Sequence, residues 1–106
     1  MKQYYKITVH IPTEHADNVR AAMGEAGAGS IVQYSHCSFS VTGTGRFRAT
    51  AEAQPAFGSV DVYEQVPEEC IETFCDATSL TVVVAAIKEA HPYEEPAVTV
   101  CPVEIA

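Results

Sequence analysis

Residues 4–11 alternate. Tyr5, Ile7, Val9 and Ile11 share one face, and Tyr4, Lys6, Thr8 and His10 share the other, which predicts a half-buried strand. Pro12 and Thr13 then signal a helix start. Ala16, Val19, Met23 and Ala26 recur at helical spacing and form a core stripe. Gly27-Ala28-Gly29 ends that helix, because glycine accepts the left-handed cap. A second strand is predicted over residues 31–39. Residues 40–58 read as a looser excursion, with Gly43, Gly45, Pro55 and Gly58 and a short strand around 46–50. A further short strand is expected over 60–66, closed by Pro67, and another over 70–75. Asp76, Thr78 and Ser79 are all suitable N-caps for a second helix whose stripe is Leu80, Val83, Ile87 and Ala90. Residues 97–103 form the last strand.

The halves of this pattern repeat. Ile7 and Ile71 stand 64 positions apart, and the same step aligns Val19 with Val83, Met23 with Ile87 and Glu25 with Glu89. The chain is therefore β-α-β twice. Two right-handed units in this length predict an α+β, ferredoxin-like βαββαβ fold. Its antiparallel sheet carries both helices on one face, and a glycine-rich excursion joins strands two and three. All 106 residues fit a single domain.

In that alignment the plain Gly27-Ala28-Gly29 turn matches His91-Pro92-Tyr93. The hexapeptide His91-Pro92-Tyr93-Glu94-Glu95-Pro96 brackets an aromatic and two carboxylates between prolines, so His91 and Glu95 are expected to be extended. The topology puts the Gly-Ala-Gly turn at one end of the sheet and the hexapeptide at the other. With strand two ending at 36–38, His36, Cys37 and Ser38 would join the hexapeptide. Tyr4, Tyr34, Phe74 and Val98 would lie on the helix-free face. An exposed aromatic face of that kind predicts burial against another subunit, a homo-oligomer with a trimer favoured.

Composition narrows the partners. Six basic against 14 acidic residues give a net charge of −8, which argues against unaided nucleic-acid binding and against an anionic membrane surface. The longest apolar run, residues 82–87, is far below the roughly 20 residues that span a bilayer. No signal-peptide pattern precedes the first strand. A soluble, cytoplasmic protein is expected, and its four cysteines (Cys37, Cys70, Cys75 and Cys101), none in a CxxC pair, read as reduced thiols.

Candidate chemistry follows from residue types. His36, Cys37, His91, Glu94 and Glu95, with His10 nearby, offer donors for a divalent metal ion such as zinc or copper. Their spacing matches no closed zinc motif, and His36 and Cys37 would point to opposite faces of a strand. Capping and packing is the competing reading. No catalytic residues are assigned: Cys37 has no recognisable histidine–acid partner set or oxyanion hole, and adjacent Glu94 and Glu95 diverge. Gly43-Thr44-Gly45-Arg46 lacks a phosphate-binding motif. As a loop with Arg46, and with Tyr93 close by, it is a candidate binding loop for an anion or a partner.

The blocks Tyr34-Ser35-His36-Cys37-Ser38-Phe39-Ser40, Gly43-Thr44-Gly45-Arg46-Phe47 and His91-Pro92-Tyr93-Glu94-Glu95-Pro96-Ala97 resemble the domain inserted in YqfO-type proteins, the NGG-one interacting factor three-like family. The resemblance covers residues 5–103 and departs most at 49–54 and 98–101. It implies a fold similar to CutA and PII signalling proteins, which are ferredoxin-like trimers. Family members hold two metal ions in a two-part outer domain that has no counterpart in these residues, so their attributed hydrolase-like activity does not carry over. In PII proteins the connection between strands two and three is the regulatory T-loop, and residues 40–58 take that place here. The expected function is a non-enzymatic oligomeric binding or regulatory module. The alternative is an accessory subunit that docks on a separately encoded partner in place of the outer domain.

Overall fold

The computed structural model describes residues 2–53, 58–93 and 95–106. Strand β1 spans Lys2–Pro12, a single 3-10 turn covers Thr13–His15, and helix α1 spans Ala16–Glu25. Strands β2 (Phe39–Arg48) and β3 (Tyr63–Asp76) follow, then helix α2 (Leu80–Ala90) and strand β4 (Val98–Ile105). The strand order is β2-β3-β1-β4 and every neighbouring pair is antiparallel. This is the expected split β-α-β arrangement.

Alternation in β1 decides which side carries the core. Ile7, Val9 and Ile11 are fully buried with Ala16, Val19 and Met23 of α1, Val83 and Ile87 of α2, and Ile71 and Cys75 of β3. Burying a side chain of this size stabilises by roughly 1.5–3 kcal/mol each. The paired register carries the same face across the sheet, because Val9 stands opposite both Ile71 and Val98. Val98 therefore packs against the core and not on the helix-free face. Tyr4 and Phe74 do lie on the helix-free face, edge to face with ring centroids 5.9 Å apart. Tyr34 belongs to neither face: it sits in a turn, bridged to Ile31, and is exposed.

Strand two departs from expectation. Residues 31–38 are not a strand but a tight turn and a bend, with Val32 and His36 at positive φ. The strand starts at Phe39 and runs through Gly43 and Gly45, so these glycines are strand residues and the excursion is residues 49–62. The stretch at 31–39 has strand composition, but the Gly27-Ala28-Gly29 exit holds it at the sheet end. There the Gly29 amide donates to the Phe74 carbonyl and the Cys37 amide to the Gly29 carbonyl. A side chain at Gly29 would collide with the Cys37 backbone, and its φ of 75° suits glycine.

β3 also runs through Pro67, where two short strands were expected. β1 pairs with β3 only as far as Pro12 opposite Glu68. Pro67 lies one residue beyond, so its missing N–H costs the β1–β3 ladder nothing. Past that point β2 and β3 continue as a two-stranded ribbon to Arg48 and Tyr63. Pro55 and Gln54 lie outside the described residues.

Candidate functional site

α2 stops where Pro92 requires it to. His91 is extended, with φ −80° and ψ 135°, and its amide makes the last helical bond to Ile87, 2.9 Å. That turn swings the His91 ring back under the sheet end, where it is only 6% exposed. β4 begins at Val98 opposite Val9, so β1 has no β4 partner beyond that position. The imidazole takes the next place: its Nε2 lies 2.8 Å from the His10 carbonyl. A carbonyl only accepts, so Nε2 carries the proton, and Nδ1 accepts from the Tyr93 amide at 3.2 Å. Burial pushes the His91 pKa down, against smaller upward effects of the His10 carbonyl and Glu68. Both ring nitrogens of this neutral imidazole are engaged with backbone.

Tyr93 extends the cluster. Its hydroxyl donates to Glu68, and its ring leans on Phe47 (centroids 5.8 Å) and on His91 (4.8 Å). Burial, then the bond to the carboxylate, raise the phenol pKa well above its ordinary value. The Glu68 carboxylate lies where a Cβ on Gly45 would be, so glycine is what admits it; Gly43, by contrast, faces open space. Beside this cluster a shallow hollow of about 170 Å³ is lined by His10, Val41, Gly43, Gly45, Glu68 and Cys70. A second, more apolar hollow of about 400 Å³ lies further along the helix-free face, lined by Lys6, Phe39, Glu72, Phe74, Val103 and Ile105 among others. Lys6 pairs with Glu72 across its floor at 3.2 Å.

The expected site residues thus divide. His91, Tyr93, Gly43 and Gly45 converge at one sheet end. Arg46 is exposed on the ribbon opposite Gln65, and Glu95 is exposed. Glu94 lies outside the described residues. His36 and Cys37 belong to the opposite end. His36 packs on Gly24 in the last turn of α1. The Cys37 carbonyl accepts from the Thr73 hydroxyl at 2.8 Å. Thr73 and Glu68 are five residues apart on β3, roughly 16 Å at strand spacing. The expected meeting of 36–38 with the hexapeptide therefore does not occur, because strand two starts, and does not end, beside Cys37. Among the described residues no three His, Cys, Asp or Glu side chains are grouped to hold a metal ion. Glu68 and Phe47 were absent from the candidates. Nothing in their local sequence marks them, and only the β2–β3 register brings them to Tyr93.

The comparisons agree with this architecture. No protein-family model matches the chain. The "GTP cyclohydrolase 1 type 2 homolog" of Mycobacterium tuberculosis is 51% identical over 92 residues, which cover 87% of this chain and 24% of that protein. The chain thus spans about a quarter of the length of the curated relatives it matches. A Bacillus cereus protein described as related to NIF3 superposes with a TM-score of 0.80 at 40% identity, over 98% of this chain and 26% of that one. The CutA divalent cation tolerance protein of Archaeoglobus fulgidus shares the fold at a TM-score of 0.68 and 16% identity, over 97% of this chain and 86% of its own. GlnK of Bacillus subtilis, solved with ATP, does so at 0.63 and 12%, over 97% and 84%. The chain is therefore homologous, in sequence and in fold, to one segment of the GTP cyclohydrolase 1 type 2 homologs, and that segment shares the fold of CutA.

Proposed function

We propose that this domain is a non-enzymatic binding or regulatory module that assembles with copies of itself through the helix-free face of its sheet. The uncovered apolar surface there carries the reading. Phe39, 66% exposed, borders the hollow formed with Phe74, Val103 and Ile105, and Val41, 53% exposed, follows it on the same side of β2. Contiguous apolar surface on a sheet face of a small domain is the mark of an interaction site. The CutA-like fold supports self-assembly, with a trimer favoured. Against an enzymatic role, the hexapeptide histidine spends both ring nitrogens on backbone groups. Phe39→Glu should convert the assembly to monomer in sedimentation velocity while leaving the circular dichroism spectrum unchanged. A parent protein that is already monomeric at micromolar concentration contradicts the reading.

Docking on a separately encoded partner protein is the second reading, and the exposed Phe39 and Val41 would serve it equally well. A stoichiometric partner in a pull-down supports it. The CutA neighbour from Archaeoglobus fulgidus is described as a divalent cation tolerance protein, which supports a metal-binding version of the module. His91 could serve it only by releasing His10 or Tyr93, so calorimetric titration with zinc, copper, cobalt and nickel should show no uptake that His91→Ala removes.

A further inference from the structure

The β2–β3 ribbon has a free edge. Among the described residues no strand pairs with the outer side of β2, a ten-residue strand without proline. Such an edge is a row of unpaired amides and carbonyls, which natural sheets shorten, bulge or cover unless it is used. The register Phe39↔Glu72 to Arg48↔Tyr63 is continuous, so no bulge interrupts it.

The two faces of this edge differ in charge. Thr42 stands opposite Glu69, and Glu69 opposite the core residue Ile11, so Thr42, Thr44, Arg46 and Arg48 all continue the helix-covered side. On the ribbon this side is bare: Thr44, Arg46 and Arg48 and their neighbours Tyr63, Gln65 and Pro67 are all exposed. No carboxylate among the described residues pairs with Arg46 or Arg48. Glu69, on that side opposite Thr42, is held by Arg20 at 2.5 Å. The other side carries Glu64, Glu68 and Glu72. Two of the chain's six basic residues thus stand together, without an ion-pair partner among the described residues, in a protein of net charge −8.

We infer that the β2 edge accepts an extended segment of a partner protein as a fifth strand, with carboxylates at alternate positions facing Arg46 and Arg48 and uncharged residues on the side of Glu64 and Glu68. The backbone ladder supplies affinity, and the alternation supplies specificity. Acids on the other face would stand beside Val41, Gly43, Gly45 and Phe47, with the glutamate row of β3 one strand further in, so a one-residue slip loses the arginine contacts and brings like charges closer. The inference rests on the binding-module reading and names the partner chemistry for one surface of it.

The test uses the whole protein and a fluorescein-labelled ten-residue peptide of alternating glutamate and valine, read by fluorescence anisotropy. A peptide of the same composition, with its glutamates in one block, is the control. The alternating peptide should bind at least about tenfold more tightly than the block peptide, and raising salt should weaken it. N-methylation of every second amide should abolish binding, because it removes the ladder. The doubly substituted Arg46→Glu/Arg48→Glu protein should lose at least about tenfold in affinity with unchanged melting. Equal binding of both peptides, no binding of either, or undiminished binding by the variant overturns the inference. A change in the sedimentation mass of the variant also overturns it, because the edge would then belong to a second copy. Assembly that survives while the peptides fail leaves the module reading standing without this inference, whereas a monomeric parent removes the module reading itself.

Discussion

Replacing His91 by leucine keeps a side chain over the end of β1 but removes its polar atoms. The His10 carbonyl then loses the donor 2.8 Å away, and the Tyr93 amide loses its acceptor at 3.2 Å. An unsatisfied buried group costs about 1–3 kcal/mol. The carbonyl stays covered and takes most of that cost, while the Tyr93 amide, in a half-buried residue, is partly reached by water. The expected loss is about 2–3 kcal/mol in urea unfolding at pH 7.5 and fixed protein concentration. The variant should also alter the pH profile. Burial lowers the His91 pKa in the folded state, so the unfolded chain binds the proton more readily. Stability is complete above the unfolded histidine value of about 6.5 and falls with pH below it until the folded pKa is reached, by at most about 1.4 kcal/mol per pH unit. Glu68 and His15 are the charged groups acting on the ring, and they oppose each other. His91→Leu should remove this part of the acid slope. A variant within about 0.5 kcal/mol of the parent, with the same slope, would refute the view that His91 serves as a backbone tie.

Two glycines on the same side of β2, Gly43 and Gly45, give a sharper contrast. Gly45→Ala must displace the Glu68 side chain and break its bond to Tyr93, a loss of about 1–2 kcal/mol, whereas Gly43→Ala meets nothing and should be neutral or stabilise by about 0.5–1 kcal/mol; equal effects in thermal melts would contradict the placement of Glu68. Tyr93→Phe keeps the ring contacts with Phe47 and His91 and should cost about 0.5–1.5 kcal/mol, close to the cost of Gly45→Ala, and the double variant should be less than additive. Gly29→Ala places a side chain against the Cys37 backbone at a φ of 75° and should cost more than about 2 kcal/mol by chemical denaturation. If it is tolerated, the turn that delays strand two is not rigid.

The topology was legible because both periodicities are clear and repeat. The β1 alternation, the two core stripes and the Gly-Ala-Gly exit placed both helices on one face and the hexapeptide at the far end from that exit. The bounds of strand two were not legible. Residues 31–39 have β-forming composition, yet tertiary bonds at Gly29 and Cys37 hold them in a turn, and the strand uses Gly43 and Gly45, which composition assigns to a loop. That one shift moved His36 and Cys37 to the wrong end and hid Glu68, whose role depends on a register between distant residues. Pro67 misled for a related reason: it breaks a central strand, but β1 has already ended there. By residue type His91 suits a metal ligand as well as a capping and packing role, and it is the second that the backbone bonds give it. The sequence does not say that β4 stops short of His10 and leaves a carbonyl for the ring to satisfy.

Assembly through the helix-free face is the central claim, and native mass spectrometry of the protein purified without chelator tests it most directly. The mass should be an integral multiple of the protomer, three copies being favoured, and should fall to one protomer with Phe39→Glu. A single protomer at micromolar concentration in the parent protein would contradict the claim.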